Sequence, residues 1–89
     1  MSGMPDDQGA SSPLRAVIEV VVRALVDHPD AVKVTESVRR GINVLELRTA
    51  PGDMGKIIGR QGRTAAALRT LLAVTADRHG KKAQLDIKD

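Results

Sequence analysis

The first apolar pattern in the chain is that of an amphipathic helix over Pro13 to Asp27. Apolar side chains recur there at intervals of three and four residues, at Leu14, Val17, Ile18, Val21, Val22 and Leu25. Ser12 suits the N-cap position, and Pro13 suits the first helical position, where a missing N–H costs no hydrogen bond. Because Pro29 disfavours helical conformation at the residue before it, the helix is predicted to stop at Asp27–Asp30.

The pattern then changes to that of β-strands. A first strand is predicted over Val32 to Val38, with Val32, Val34 and Val38 on one face, and a second strand over Ile42 to Thr49. The segment Arg39-Arg40-Gly41 between them is short and contains glycine, which favours an antiparallel hairpin. Consecutive apolar residues in the second strand predict that both of its faces are at least partly covered.

The C-terminal half predicts two helices and a last strand. A short helix over Met54 to Ile58, with Asp53 as its N-cap, is followed by two glycines and by a longer helix from Arg63 to about His79. The inner face of the longer helix is predicted to carry Ala65, Leu68, Leu71, Leu72, Thr75 and Ala76. Gly80 suits the left-handed position that ends a helix. Apolar–polar alternation over residues 83–87 predicts a half-exposed strand.

Length and composition indicate one small domain, at 13–89, preceded by a disordered tail at 1–12 that is rich in Ser, Gly and Pro. The chain has no cysteine and only two histidines, so it has no disulfide, and neither a structural metal nor a cofactor is predicted. No apolar run approaches the roughly 20 residues that span a bilayer, and the first residues lack the pattern of a signal peptide. We therefore expect a cytoplasmic protein without a membrane partner.

Charge and aromatic content narrow the type of partner. The chain carries 14 basic and 11 acidic side chains, and without Asp6 and Asp7 the balance is 14 to 9. Such an excess suits a polyanionic partner but does not identify one. Because the chain has no Phe, Tyr or Trp, the stacking of bases on aromatic rings is excluded. A nucleic acid must instead be held by backbone N–H groups, by Arg and Lys, and by an aliphatic groove.

The segment between the last two helices has the composition of a clamp for a sugar-phosphate backbone. Gly59 and Gly62 let the chain turn sharply and let a phosphodiester approach the backbone amides. Those amides open the helix at Arg63, and a helix N-terminus favours anions. Neighbouring side chains supply charge, hydrogen-bond donors and aliphatic bulk, the last either as the floor of a groove for bases or as anchors in the core. The predicted binding residues are Lys56, Ile57, Ile58, Gly59, Arg60, Gln61, Gly62 and Arg63.

Other glycine-loop and catalytic motifs do not fit the spacing. No glycine has the continuation of a Walker P-loop, and the first glycine pair of a dinucleotide fingerprint is missing. A DNA-reading helix-turn-helix normally has a first helix longer than Met54 to Ile58. His28 and His79 have no Ser, Asp or Cys at catalytic spacing, and the acidic residues form no pair, so no catalytic residue and no enzyme is predicted.

Basic residues outside the clamp are open to more than one interpretation. Arg39-Arg40 either extends the path of the phosphates or consists of solvated turn residues. Arg69 and Arg78 are expected on the surface of the longer helix. Lys81-Lys82 follows the end of that helix, where positive charge is favoured.

The stretch Ile57-Ile58-Gly59-Arg60-Gln61-Gly62 between two helices resembles the motif of KH domains. The longer stretch from Pro51 to Leu72 is similar to the small bacterial single-KH proteins of the KhpA (YlqC) family, and the resemblance covers essentially everything after residue 12. It implies an α+β fold: a type II KH domain of order α-β-β-α-α-β, with a three-stranded mixed sheet and its helices on one face. The two strands flanking the helix pair would then be adjacent and parallel.

The same resemblance implies a function and partners. Members of the family are RNA chaperones and post-transcriptional regulators that self-associate, pair with a larger KH protein of the KhpB (Jag) type, and are tied to cell-envelope growth and cell shape. We therefore expect single-stranded RNA to bind at Gly59 to Gly62 of a homodimer or heterodimer. Ala65 stands where many KH domains have a large aliphatic residue, so weak base discrimination is expected. Two alternatives remain open: a KH-fold adaptor that docks a partner protein, and a single-stranded DNA binder.

Overall fold

The structure, a computed structural model, describes residues 12–88 and has the element order α-β-β-α-α-β. Its first half contains helix α1 (Pro13–Leu25) and strands β1 (Lys33–Arg39) and β2 (Ile42–Arg48). Its second half contains helices α2 (Met54–Ile58) and α3 (Arg63–Arg78) and strand β3 (Lys82–Lys88). The predicted element order is confirmed. The predicted tail lies outside the described residues, apart from Ser12.

Helix α1 begins as its sequence predicts. The Ser12 hydroxyl accepts a hydrogen bond from the Arg15 backbone N–H at 3.3 Å, and Pro13 occupies the first turn. The helix ends at Leu25, two residues before the predicted end at Asp27, because Val26 already has an extended backbone with φ −99° and ψ 162°. Its fully buried face carries Leu14, Ile18 and Val22.

The three strands form one mixed sheet in the order β1-β2-β3. Strand β1 is antiparallel to β2, and β2 is parallel to β3, with Ile42 opposite Lys82. The hairpin between β1 and β2 turns on Arg40 and Gly41, both with positive φ (53° and 79°). A two-residue turn with positive φ at both positions matches the right-handed twist of paired strands, which explains the predicted antiparallel hairpin.

One apolar core fills the space between the helices and one face of the sheet. Its buried members are Leu14, Ile18, Val22, Val26, Val32, Val34, Leu45, Leu47, Ile57, Leu68, Leu72, Ala76 and Leu85. The opposite face of the sheet carries mainly polar side chains, among them Lys33, Thr35, Ser37, Gln84 and Asp86. The helices therefore cover a single face, and the α+β fold expected for a KH domain is confirmed.

Val38 lies at the margin of the apolar core. It shares a sheet face with Val34, as the alternation predicts, but its side chain is 65% exposed. Val38 lies opposite Asn43, and Asn43 lies opposite Ala83, in the row next to the end of the sheet. The helices bury the rows before this one and leave Val38 uncovered.

Among residues 12–88, no helix has the length and the apolar run needed to cross a membrane.

Candidate nucleic-acid interface

The clamp, defined as Gly59 to Gly62, is a tight turn between α2 and α3. The Gly59 N–H donates to the Gly55 carbonyl at 2.8 Å, and the Gly62 N–H donates to the Gly59 carbonyl at 3.1 Å. Three of its residues, Gly59, Gln61 and Gly62, have positive φ. This conformation is costly for most residues, so the turn depends on its glycines.

The two glycines of the clamp are required for different reasons. A Cβ on Gly59 would collide with the Thr64 hydroxyl and would lie 2.9 Å from the Thr64 backbone N. A Cβ on Gly62 would meet nothing within 4 Å, although its φ of 73° also disfavours a side chain. Gly59 is thus fixed by packing within the turn. Gly62 leaves open space above its backbone, where another molecule can approach.

Helix α3 starts at the clamp with an uncapped end. Its N-cap residue, Gly62, offers no side chain to the first-turn N–H groups, and the first turn contains no acidic residue. The N-terminal N–H groups of a helix have no partner within the helix, and together they carry a partial positive charge. This end of α3 can therefore accept an anion.

The two isoleucines before the clamp have different roles. The sequence left open whether they anchor the core or floor a groove for bases. Ile57 is fully buried in the core and anchors α2. Ile58 is 38% exposed and lies directly before Gly59. Of the pair, only Ile58 presents an aliphatic surface beside the clamp.

The charged residues predicted around the clamp are not equally available. Arg60 is exposed, and Arg63 donates from Nη2 to Gln61 Oε1 at 3.3 Å. The Lys56 ammonium instead lies 3.2 Å from Asp27 Oδ2 and 3.8 Å from Asp53 Oδ1. The hydrogen bond with Asp27 raises the pKa of Lys56 above its ordinary value. The structure therefore brings Arg60, Gln61 and Arg63 together and engages Lys56 in ion pairs.

Asp53 has a different role from the predicted N-cap of α2, because its carboxylate makes no capping hydrogen bond. It is 1% exposed and accepts hydrogen bonds from the N–H groups of Asp27 at 3.2 Å and His28 at 2.9 Å. The His28 Nδ1 atom lies 3.2 Å away. Burial raises the pKa of Asp53, but these hydrogen bonds outweigh burial and hold it below its ordinary value.

Asp53 thus ties the segment after α1 to the start of α2, which leads into the clamp. Sequence reasoning missed this link because the partners are backbone N–H groups 25 and 26 residues away. Backbone donors of this kind carry no residue-type signal. An aspartate next to a glycine in a turn gives the same pattern whether it caps a helix or binds a distant loop.

A second surface feature is an apolar groove between α1 and α3. One part is lined only by Ala16, Val17, Val20, Val21 and Leu71. An adjoining part reaches the clamp and is lined by Val21, Leu25, Arg63, Thr64, Ala67, Leu68 and Leu71. Val20 is 68% exposed and Leu25 41% exposed. Leu25 and Leu71 reach this groove, whereas Val22 and Leu72 are buried.

Comparison with known proteins places the chain among KH domains. The family model described as "KhpA/KhpB, KH domain" matches residues 15–87. The "RNA-binding protein KhpA" of Halalkalibacterium halodurans is 43% identical over 76 residues, which cover 85% of this chain and 100% of that protein. The protein of the same name from Aquifex aeolicus is 43% identical over 76 residues, which cover 85% of this chain and 96% of that protein. The one from Leifsonia xyli subsp. xyli is 51% identical over 70 residues, which cover 78% of this chain and 88% of that protein.

Proposed function

The chain belongs to the KhpA/KhpB family of KH domains, and on that premise we propose that it binds single-stranded RNA at Gly59 to Gly62. Relatives that match 96–100% of their own length bear the name RNA-binding protein. The observation that carries the proposal in this chain is the uncapped start of α3 beneath the open backbone of Gly62. A phosphate would there take the place of a capping side chain.

We propose that the clamp contacts the sugar-phosphate backbone of the RNA rather than its bases. Arg60 and Arg63 would add charge to the phosphate site, and Gln61 would donate hydrogen bonds to oxygen atoms of the strand. Ile58 offers one exposed aliphatic side chain for base contact, and the chain contains no aromatic ring. A KH clamp holds about four nucleotides, so we expect weak, salt-dependent binding with little sequence preference.

The test compares wild type with Arg60→Asp/Gln61→Asp on short single-stranded RNA and DNA oligomers. Asp is among the residues that tolerate the left-handed conformation of Gln61, so the turn is expected to survive. We expect affinity for RNA to fall at least roughly tenfold, because the net charge at the phosphate site falls by three units. Circular dichroism checks that the fold is kept.

Lys33→Glu/Thr35→Glu is the matched control, since it makes the same charge change at exposed positions of β1. It should leave affinity within about threefold of wild type, because screening weakens charges at a distance. Equal binding by the clamp variant and wild type would refute the clamp and favour the adaptor alternative. Stronger binding to DNA than to RNA would favour the single-stranded DNA alternative.

We propose further that a second copy of the chain packs on the α1–α3 groove. A small domain with an exposed apolar strip gains stability by covering it, and two linked clamps hold one strand more tightly than one. In sedimentation equilibrium, wild type should show a concentration-dependent mass that Val20→Glu abolishes. Val74→Glu is the control, because Val74 is also exposed but lies on α3 and does not line this groove. This variant should keep the concentration-dependent mass. A monomer mass at every concentration would contradict self-association.

If wild type alone is monomeric, the same two variants test the heterodimer with a larger KH protein of the KhpB type. The family model covers both KhpA and KhpB, which supports such a pairing. Co-purification with the KhpB-type protein should be lost in Val20→Glu and kept in Val74→Glu. Loss in both variants would indicate damage to the fold rather than an interface.

The resemblance also supports a role as a cytoplasmic RNA chaperone and post-transcriptional regulator linked to cell-envelope growth. A weak grip on the backbone suits a chaperone, because it releases RNA quickly and tolerates different sequences. Acceleration of strand annealing by wild type, and not by Arg60→Asp/Gln61→Asp, would support the chaperone role. Cell shape in a strain that carries only the clamp variant tests the link to the envelope.

A further inference from the structure

Four basic residues from two distant parts of the chain meet at the far end of α3. Arg39 and Arg40 belong to the β1–β2 hairpin, and Lys81 and Lys82 follow α3. The strand register brings them together: Ile42 pairs with Arg39 on one side and with Lys82 on the other. Residues about 40 positions apart thus form one surface, which we call the distal basic surface.

The cations of this surface are unpaired within the described residues. All four side chains are exposed, and no carboxylate of residues 12–88 forms an ion pair with any of them. Lys56 beside the clamp, by contrast, is paired with two aspartates. Unpaired positive charge among residues 12–88 is therefore not confined to Arg60 and Arg63 at the clamp.

Backbone hydrogen bonds and a tight turn hold the chain in place around the distal basic surface. The Lys81 N–H donates to the Ala76 carbonyl at 2.8 Å, and the Gly80 N–H donates to the Asp77 carbonyl at 3.1 Å. These two hydrogen bonds form a Schellman motif, which fixes the direction in which the chain leaves α3. On the other side, the two-residue hairpin turn fixes Arg40.

Three of the four basic residues, Arg40, Lys81 and Lys82, border a recess with apolar side chains in its lining. The recess has a volume of about 690 Å³ and is lined by Val38, Arg40, Gly41, Ile42, Asn43, Gly80, Lys81 and Lys82. Val38 is the strand residue that the helices leave uncovered. A nucleotide can place its base or ribose on apolar side chains here while its phosphate contacts the cations.

A shallow groove leads from this recess along α3. Its lining includes Ala73 and Ala76 of α3 and Ala83 of β3, with Asp77 as its acidic member. Ala66, Arg69 and Ala73 follow the three-and-four spacing of one helical face, which continues from this groove toward the clamp. The 16 residues of α3 place its two ends about 24 Å apart.

From this arrangement we propose that the distal basic surface binds phosphates of the same RNA strand that the clamp holds, beyond the nucleotides in the clamp. The proposal rests on the proposed RNA binding at Gly59 to Gly62 and adds a second contact region to it. A strand of about four nucleotides fills the clamp. A longer strand would follow the α3–β3 groove and gain the contacts of Lys81 and Lys82.

The experiment measures the affinity of single-stranded RNA of four and of ten nucleotides over a range of salt concentrations. Wild type is compared with Lys81→Gln/Lys82→Gln, which removes two charges without adding acidic groups. RNA is kept in excess, so that each strand binds one protein. On the ten-mer we expect roughly tenfold weaker binding, and a slope of log K against log salt that is smaller by about 1.4, since each phosphate contact on a single strand contributes about 0.7. On the four-mer, affinity should stay within about twofold.

The matched control is Lys33→Gln/Lys88→Gln, which removes two charges from the opposite ends of β1 and β3. It should change neither the salt slope nor the length dependence. Unchanged binding of the ten-mer by Lys81→Gln/Lys82→Gln, or an equal loss on both lengths, would overturn the inference while leaving the clamp in place. If wild type binds neither oligomer, or if Arg60→Asp/Gln61→Asp binds the four-mer like wild type, the proposed clamp itself fails.

Discussion

The two ends of helix α3 differ in what they offer a nucleic acid. At its start, the backbone is unusual, with positive φ at Gly59, Gln61 and Gly62, while the nearby Lys56 is held in ion pairs. At its end, a common helix cap is bordered by four cations that form no ion pair within residues 12–88. One end lets a phosphate approach closely and the other attracts it from a distance. The glycine motif identifies the end where a phosphate can approach closely. It gives no information about the cations at the other end.

The largest expected effect is a difference in stability between alanine variants of the two clamp glycines, Gly59 and Gly62. Gly59→Ala should destabilise the fold by about 3 kcal/mol or more, because it combines backbone strain with a collision against Thr64. Gly62→Ala should cost only about 1 kcal/mol, since its Cβ would enter open space. Thermal unfolding followed by circular dichroism measures both. Equal losses would show that the turn relaxes around Thr64, and the contrast between the glycines would be lost.

Asp53→Asn should have the next largest effect, lowering the melting temperature by roughly 5–10 °C at pH 7. The pKa of Asp53 is lowered in the folded protein, so below about pH 4 the unfolded chain takes up its proton more readily. Its contribution to stability is therefore complete above the unfolded pKa and is lost as pH falls through the folded pKa. The variant's melting temperature should depend less on pH in that window. Parallel pH profiles for variant and wild type would contradict this role.

A pair of variants tests whether charge at the start of α3 is available to RNA. Lys56→Gln should lower the melting temperature by only about 1–4 °C, because its ion pairs are half-exposed. RNA affinity should change less than roughly twofold, because the ammonium is already engaged with Asp27. Arg60→Gln should do the reverse, with unchanged stability and roughly three- to tenfold weaker binding. Stronger weakening by Lys56→Gln would show that RNA draws Lys56 away from its aspartates.

The smallest effect is expected in the hairpin turn at the other end of α3. Arg40 has φ 53°, a conformation that Asn adopts more readily, so Arg40→Asn should stabilise the fold by about 0.5 kcal/mol. The same change removes one cation from the distal basic surface and should weaken binding of the ten-nucleotide RNA roughly threefold. A gain in melting temperature together with a loss of affinity would separate charge from conformation at this end. A lower melting temperature would mean that the Arg40 side chain supports the turn.

Local sequence predicted most of the fold. The start of α1, the short helix α2 and the glycine after α3 were predicted because caps, prolines and apolar spacing are properties of neighbouring residues. Burial at the sheet margin is not predictable from local sequence in this way. The alternation places Val38 on the apolar face, but only the extent of the helices decides whether that row is covered. That extent is a tertiary property, which a strand's own sequence does not contain.

The candidate site was predictable in its backbone and less so in its electrostatics. The glycine spacing identified the clamp, because a turn of this shape needs glycine wherever it occurs. The pairing of Lys56 with Asp27 and the burial of Asp53 depend on contacts across more than 25 residues. The distal basic surface depends on the parallel register of β2 and β3. Each pair of basic residues, taken alone, looks like ordinary solvated charge.

The parallel pairing of β2 with β3 also has a consequence for the order of folding. The clamp lies within residues 49–81, the connection between these two strands. Docking of β3 closes that long connection and buries Leu85 in the core. Because closing a long connection costs entropy, we expect β3 to dock late in folding. Undocking of β3, an edge strand, would free the far end of α3 and leave the clamp unsupported. RNA bound at both ends should therefore slow amide hydrogen exchange throughout β3, even at residues that RNA does not touch.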